Sequence, residues 1–501
     1  MSQKNRTSLA WIFSLILALT LSVGCTRSSQ NQVPPFVILR STDSYTLDPR
    51  LATTAEDLRV TRLLYANLVE RDPKTGEFRP GLASWQESPK TSTIVLTIKD
   101  SAQFGDGRPI SAETVKVSLD RWLQKGLGGD QTVAQMFRET FGDITVESPK
   151  NLRMALRTSV FRALSLLSSA YLGITGPPPS DPARLGDGNS SGLYHLIRWD
   201  RATRLIELEK RGNEIAGWPK RLILKAVDND QLRRAQLERG EAQAMDRMPL
   251  EWAGKIKDDR LKVVSAPGQN LLCLVLNTKK PPFDRIEARR AFAREVNAKG
   301  FVETILSGYA RSPQRLVPES LAVLPPLSAE SLNPSLGKAS KPSLGVPLKI
   351  VGPAFSPFDA LSLEAQIAAK KLGYKADLSL TSDIPTLVRM WSNGEHHIAV
   401  YRYLAEVPDP GYFVQQMVIP GGSANLAFFT SPSIDGARQL YQRAKDTKQA
   451  LESLAKLERE IISAAIIVPV AHMDELWLIR TDVKGFMPLP STFFTFATSR
   501  P

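Results

Sequence analysis

Residues 348–404 read "LKIVGPAFSPFDALSLEAQIAAKKLGYKADLSLTSDIPTLVRMWSNGEHHIAVYRYL" and alternate between two periodicities. Short apolar runs at 348–353, 375–380 and 397–404 are typical of strands. The two longer segments between them carry apolar residues at helical spacing. Strands that alternate with helices predict one sheet with helices packed on it, so the pattern assigns this part of the chain to the α/β class.

The flanking sequence repeats this pattern on both sides. "NLLCLVLN" at 270–277 predicts a buried strand that contains Cys273, so we expect Cys273 to be an inert core thiol. Near the amino end, a strand begins at Val37, the chain breaks at Asp48-Pro49, and apolar residues from Leu58 to Leu68 predict a helix. The α/β prediction therefore extends over most of the chain.

Composition indicates a folded protein of more than one lobe. The chain has 501 residues, of which 42% are hydrophobic and 23% charged. The net charge is +13, but the basic residues are interspersed with acidic ones and form no stripe. We therefore predict no nucleic-acid binding.

The first 36 residues predict export and anchoring. Lys4 and Arg6 precede an apolar run from Leu9 to Val23, which is short for a membrane span and typical of a signal peptide. The run ends in "LSVGC", which resembles a bacterial lipobox. We expect a signal peptide at 1–24, lipidation of Cys25 and a polar tether over 25–36, which places the protein on a membrane facing the periplasm or the cell exterior.

A Gly-x-Ser-x-Gly pattern at 188–192 raises the alternative of a serine hydrolase with Ser190 as nucleophile. A nucleophile elbow requires a strand running into the motif and a helix leaving it. Here a polar loop leads into the motif and a strand, which carries His195, follows it. We interpret Ser190 as a loop residue and predict no catalytic residue.

An ordered series of blocks resembles the bacterial extracellular solute-binding proteins of the dipeptide, oligopeptide and nickel transporter class. The blocks are "LDPRLATTAEDLRVTRLLYANLVERDP", "RPGLASWQ", "FGDGRPISAETV", "SSGLYHLIRWD", "LNTKKPPFDRIEARRAFAREVN" and "VPDPGYF". The resemblance implies a two-lobed periplasmic-binding-protein fold of class II type with an extra N-terminal subdomain. It also implies a monomer without a cofactor that closes on a small solute, such as a peptide, and delivers it to the permease of an ABC importer.

The blocks also suggest boundaries for these parts. We expect lobe I to comprise 37–52, 185–272 and 468–501, the inserted subdomain to comprise 53–184, and lobe II to comprise 273–467. A cleft between α/β lobes can bury a flexible polar ligand, and closure gives a transporter a distinct state to recognise.

The resemblance points to ligand residues in and near "VYRYLAEVPDPGYF". In peptide-binding relatives an Asp at the position of Glu406 pairs with the peptide ammonium, and a pocket Trp stands at the position of Tyr403. Glu406 pairing with Arg402, or facing solvent, is the alternative. Tyr45 belongs to a loop similar to one that lines the cleft, although packing within a turn would also explain it. The predicted ligand residues are Glu406, Tyr403, Tyr45 and Arg402.

Two other functions remain open at this point. His396 and His397 are adjacent, and on a strand they would point to opposite faces, so we predict no metal site from them. A nickel chelate would not need these histidines and stays an alternative ligand. A receptor or chaperone uncoupled from transport is another, since "YAN" at 65–67 stands where relatives tend to have Tyr-Glu-Gly.

Overall fold

The computed structural model describes residues 33–72, 75–88, 91–124, 126, 128–176, 190–212, 217–321, 324, 347–405, 407–422, 424–490 and 493–497. The strands are β1 Phe36–Arg40, β2 Val69–Arg71, β3 Phe78–Pro80, β4 Ala83–Ser88, β5 Thr93–Ile98, β6 Phe141–Val146, β7 Asn151–Leu156, β8 Tyr194–Asp200, β9 Leu205–Lys210, β10 Arg221–Ala226, β11 Ala244–Met245, β12 Leu261–Pro267, β13 Asn270–Leu276, β14 Ala310–Arg311, β15 Leu348–Pro353, β16 Ala376–Thr381, β17 Ile398–Leu404, β18 Ile467–Arg480, β19 Phe486–Pro488 and β20 Phe494–Phe496.

The α-helices are α1 Ala55–Leu64, α2 Ala112–Asp120, α3 Gln131–Thr140, α4 Val160–Leu167, α5 Asp230–Glu238, α6 Ile286–Glu295, α7 Ala298–Thr304, α8 Phe358–Lys371, α9 Ile384–Ser392, α10 Pro410–Gln415, α11 Pro432–Arg443 and α12 Thr447–Ser463. None of them, within the ranges given above, has both the length and the apolar content needed to cross a bilayer.

A 12-stranded sheet forms the centre of the fold, with strand order β16-β15-β17-β13-β18-β11-β1-β10-β9-β8 and with β12 and β14 also paired to β18. Strand β18 is the longest, and it pairs antiparallel with β13 through its first residues and with β12 over Asp474–Arg480. It therefore joins the β16-to-β13 half of the sheet to the β11-to-β8 half.

Residues 348–404 fold as the alternation predicts. Strand β15 runs parallel to both β16 and β17, while β17 runs antiparallel to β13. Helix α8 begins at Phe358, which continues the buried face that includes Leu361 and Ala365. The predicted two-lobed α/β class with an extra N-terminal subdomain is confirmed.

A separate four-stranded sheet, in the order β4-β5-β7-β6, packs with α2, α3 and α4 over residues 53–176. Ser111 caps α2, as its position after the Gly-Asp-Gly turn predicts, and Thr114 completes a capping box. Helix α1 ends at Leu64 rather than continuing to Leu68. Tyr65 adopts extended backbone angles, and Leu68 is buried in the core of the four-stranded sheet.

The structure places Cys273 and Ser190 where the sequence predicts, the first in a buried strand and the second in a loop. Cys273 lies in β13 with no exposed surface, and burial raises the pKa of its thiol, so it is held as an unreactive neutral thiol. Ser190 lies in a loop before β8, with 1% of its surface exposed. Its hydroxyl has no hydrogen-bond partner among the described residues.

Candidate ligand-binding cleft

Arg402 interacts with residues from distant parts of the chain. It lies on β17, opposite Leu272 of β13. Its guanidinium carbon is 5.9 Å from the centre of the Phe358 ring in the first turn of α8, which is within the range of a cation–π contact. Glu475 of β18 and Arg247 are the charged groups that act on it through space.

Among the described residues, Arg402 has no hydrogen-bonded or ion-paired carboxylate. In the part of the chain that the structure describes, no hydrogen bond or salt bridge to its guanidinium is present. Burial lowers the pKa of Arg402, the carboxylate of Glu475 opposes this shift, and Arg247 reinforces it. A partly buried guanidinium is unfavourable without a counter-charge, so an anionic partner would offset the cost of burying Arg402.

Glu475 of β18 carries a negative charge that acts on Arg402 through space. It is 8% exposed in a largely apolar strand that also contains Asp474. Within the described ranges, its carboxylate makes no hydrogen bond and no ion pair within 4.0 Å. Within the described ranges, Arg402 and Glu475 are thus one cation and one anion, each without a hydrogen-bonded or ion-paired side chain.

The charged residues beside this site are already paired. Arg247 lies 2.8 Å from Glu56 through its Nη2 atom, and Glu56 also accepts from Arg59 at 2.9 Å. Asp246 is fully buried and pairs with Arg59 and Arg233. This cluster fixes Arg247 at the edge of the site, where the residue adopts a positive φ of 44°.

The predicted ligand residues occupy different environments. Tyr403 follows Arg402 on β17 and therefore points to the opposite face, where it is 1% exposed and its hydroxyl donates to the carbonyl of Ala424 at 2.9 Å. Tyr45 is 73% exposed, and its amide donates to Asp57. Glu406 lies outside the described residues, and so does Cys25. The ligand roles of these side chains remain predictions.

The adjacent histidines precede β17 instead of lying on it, which corrects the expected strand position. His396 is buried, with Nε2 2.8 Å from the carbonyl oxygen of Leu426, whereas Nδ1 of His397 accepts from the amide of Lys349. They therefore face different partners. Within the described ranges, no cluster of three or more His, Cys, Asp or Glu side chains could hold a metal ion.

Sequence reasoning did not identify Glu475, Arg247 or Phe358. Glu475 carries a recognisable signal, because "HMDELWLIR" places two acidic residues inside an apolar strand. A charged residue in such a strand is usually paired or functional. Arg247 and Phe358 have no comparable signal, since their importance depends on contacts between distant segments.

A cavity of about 550 Å³ lies elsewhere, at the carboxyl end of α1 and beside residues 191–193 and 493–495. Each of its four cationic side chains already has a partner. Arg59 and Arg62 pair with carboxylates, Arg211 donates to four backbone carbonyls, and Lys99 donates to Pro80. None of these four charges is therefore unpaired.

Comparison with known proteins gives a family match over residues 77–425, to the bacterial extracellular solute-binding proteins, family 5 Middle. The chain is 26% identical over 484 residues to the probable D,D-dipeptide-binding periplasmic protein DdpA of Escherichia coli, covering 90% of this chain and 91% of that protein. It is 23% identical over 472 residues to the glutathione-binding protein GsiB of Salmonella typhimurium, with the same coverage of 90% and 91%.

Solved structures share the fold. The ABC transporter substrate-binding protein CtaP from Listeria monocytogenes has a TM-score of 0.78 at 16% identity, covering 93% of this chain and 98% of that one. The periplasmic binding protein DppA from Helicobacter pylori, in complex with the peptide STSA, has a TM-score of 0.72 at 19% identity, covering 92% and 96%. These similarities support the two-lobed binding-protein architecture.

Proposed function

Because this chain belongs to the bacterial extracellular solute-binding proteins of family 5, we propose that it captures peptides or peptide-like solutes that carry both an ammonium and a free carboxylate. As in the family, it delivers its solute to an ABC importer. The observation that supports this ligand class is Arg402, a partly buried cation without a partner among the described residues.

The chemistry of the site favours a zwitterion over a simple anion. A carboxylate can form two parallel hydrogen bonds with a guanidinium, which gives both energy and orientation. A ligand with only a carboxylate would leave Glu475 unpaired, because Glu475 has no partner within the described ranges. A peptide supplies both charges, and the resemblance adds Glu406 as a second candidate for its ammonium.

We expect the residue 27–501 protein to bind free-acid di- to pentapeptides, and Arg402→Gln to weaken this binding about 30-fold, or ~2 kcal/mol, by removing a charge-assisted pair. Binding is measured by calorimetry and by thermal shift, where ligand at 100 times its Kd adds about 2.7 kcal/mol to stability. Arg389→Gln is the matched control, because Arg389 is an exposed arginine on α9.

Peptide amides separate the possible outcomes. Amidation removes the carboxylate, so the amide should bind wild type and Arg402→Gln with equal, weaker affinity. If the amide binds wild type as tightly as the acid does, Arg402 does not hold the carboxylate. If no peptide binds and a nickel–histidine chelate does, the peptide assignment is wrong and a chelate is the solute. If neither binds, the solute is of another class or the protein acts as a receptor.

We further propose that Cys25 carries a lipid anchor, which is consistent with the periplasmic or extracellular location of the family. In a bacterial host that expresses the full chain, a clickable palmitate analogue should label the wild type, and the protein should sediment with membranes. Cys25→Ser should abolish labelling and release the protein from membranes. Cys273→Ser should change neither, since Cys273 is a buried core residue. Equal labelling of wild type and Cys25→Ser would exclude this anchor.

A further inference from the structure

The segment that follows β17 is held by residues more than 200 positions earlier in the chain. Val407 has no exposed surface and is a member of the hydrophobic core of the four-stranded sheet over residues 53–176. The rest of that core comes from Ala52 to Ile174. Val407, which follows the strand that carries Arg402, therefore packs into a core built by another part of the chain.

Arg71 fixes this segment from one side. Its guanidinium donates to the carbonyls of Pro408 and Leu321, and its Nε donates to the carbonyl of Gly76 at 2.9 Å. All three acceptors are backbone oxygens, so the contact depends on the forked geometry of arginine and not only on its charge. Arg71 thus connects β2 with the segment that follows β17.

Arg162 approaches the same segment from α4. Its Nη1 donates to Thr158 and to the carbonyl of Gln442, and its guanidinium lies 5.0 Å from the centre of the Tyr441 ring. Its Nε is 3.9 Å from Oδ2 of Asp409. Both atoms are buried, and neither has a hydrogen-bond partner among the described residues.

Asp409 also organises α10 through its other oxygen. Oδ1 accepts from the amides of Gly411 and Tyr412, at the start of α10, and from the hydroxyl of Tyr441 at 2.7 Å. Oδ2 is left facing Arg162. A small closing movement would bring these two charged groups to hydrogen-bond distance, where a buried charge-assisted bond is strong.

We infer that Arg71 and Arg162 are positioning residues for the ligand site, which hold residues 407–409 against the four-stranded sheet so that solute affinity depends on them. The inference rests on the proposed function, because it concerns affinity for the same solute. Neither arginine needs to touch the solute, since the hydrogen bonds of Arg71 and of Nη1 of Arg162 all lie within the protein.

The test uses Arg71→Lys, which keeps the charge but cannot serve three separated carbonyls. We expect the Kd for a free-acid tripeptide, trialanine, to rise about tenfold. We also expect faster amide hydrogen exchange over residues 407–416 without ligand, because local opening of this segment becomes easier. Arg79→Lys is the matched control: Arg79 lies on the adjacent β3, is 59% exposed and pairs with Asp72. It should change neither quantity.

Arg162→Lys provides a second variant if Arg71→Lys lowers overall stability, and it should show the same two effects. The inference is overturned if Arg71→Lys and Arg162→Lys both show the same Kd and the same hydrogen exchange over 407–416 as the control Arg79→Lys. The proposed function would remain intact in that case. If wild type binds no peptide, the proposed function fails. Hydrogen exchange then decides alone whether the two arginines hold the segment: faster exchange in the variants supports this, and unchanged exchange refutes it.

Discussion

Replacement of Glu458 by alanine is expected to lower the free energy of unfolding by about 4 kcal/mol. Glu458 has no exposed surface, and its carboxylate pairs with Arg315, whose side chain is 3% exposed. Oε1 also accepts from the backbone amide of Val317 at 3.0 Å. The variant would remove a carboxylate from a buried guanidinium and the acceptor from a buried amide, and both losses are costly. Urea unfolding monitored by circular dichroism measures the change.

Glu452→Ala is the control for this prediction, because Glu452 is an exposed glutamate on the same helix, α12. It should change stability by less than about 0.5 kcal/mol. The double variant Arg315→Met/Glu458→Leu should recover part of the loss, since it removes both charges together. A loss in Glu458→Ala within about 1 kcal/mol of the control would show that the pair is not a major source of stability.

Acidification from pH 6.5 to pH 4 is expected to remove about 3 kcal/mol of stability through His396 alone. His396 has no exposed surface, and its Nε2 is positioned to donate to Leu426. Its Nδ1 is buried without a partner among the described residues, so a proton there would be an unsatisfied buried donor. Burial lowers the pKa of His396 to about 4, and the nearby Lys280 and Lys349 act in the same direction.

The direction of this pH dependence follows from the pKa of His396 in the folded and unfolded states. The folded pKa of about 4 lies below the ordinary value of 6.5, so between these two values the unfolded chain binds more protons. The stabilisation is complete above pH 6.5 and disappears as pH falls to 4.

Urea unfolding at several pH values measures this dependence in wild type and in His396→Asn. The substitution should reduce the slope of the free energy of unfolding against pH by up to about 1.4 kcal/mol per pH unit, which is the contribution of one proton. An unchanged slope in His396→Asn would contradict the prediction.

The parts of the fold that follow from short-range periodicity were predictable. The alternation in residues 348–404, the buried strand around Cys273 and the capping role of Ser111 depend on spacings of two to four residues. The end of α1 was not predictable, because Leu68 continues the helical spacing but is buried by a different sheet. Tertiary packing there overrides the local pattern.

The ligand site was accessible to sequence reasoning only in part. The resemblance directs attention to β17, and strand geometry places Arg402 and Tyr403 on opposite faces. It does not say which face is buried, and the structure assigns Tyr403 to the core and Arg402 to the side of Phe358. Glu475 approaches Arg402 from a strand more than 70 residues later, which no local pattern reveals.

Strand β18 has a consequence for the timing of assembly. It lies between β13 and β11, so without residues 467–480 the large sheet would be two separate pieces with unpaired edges. These residues follow β13 by about 190 positions. The sheet therefore cannot close until residues 467–480 have been synthesised. Because β18 pairs with both β13 and β11, its arrival completes both halves of the sheet at once.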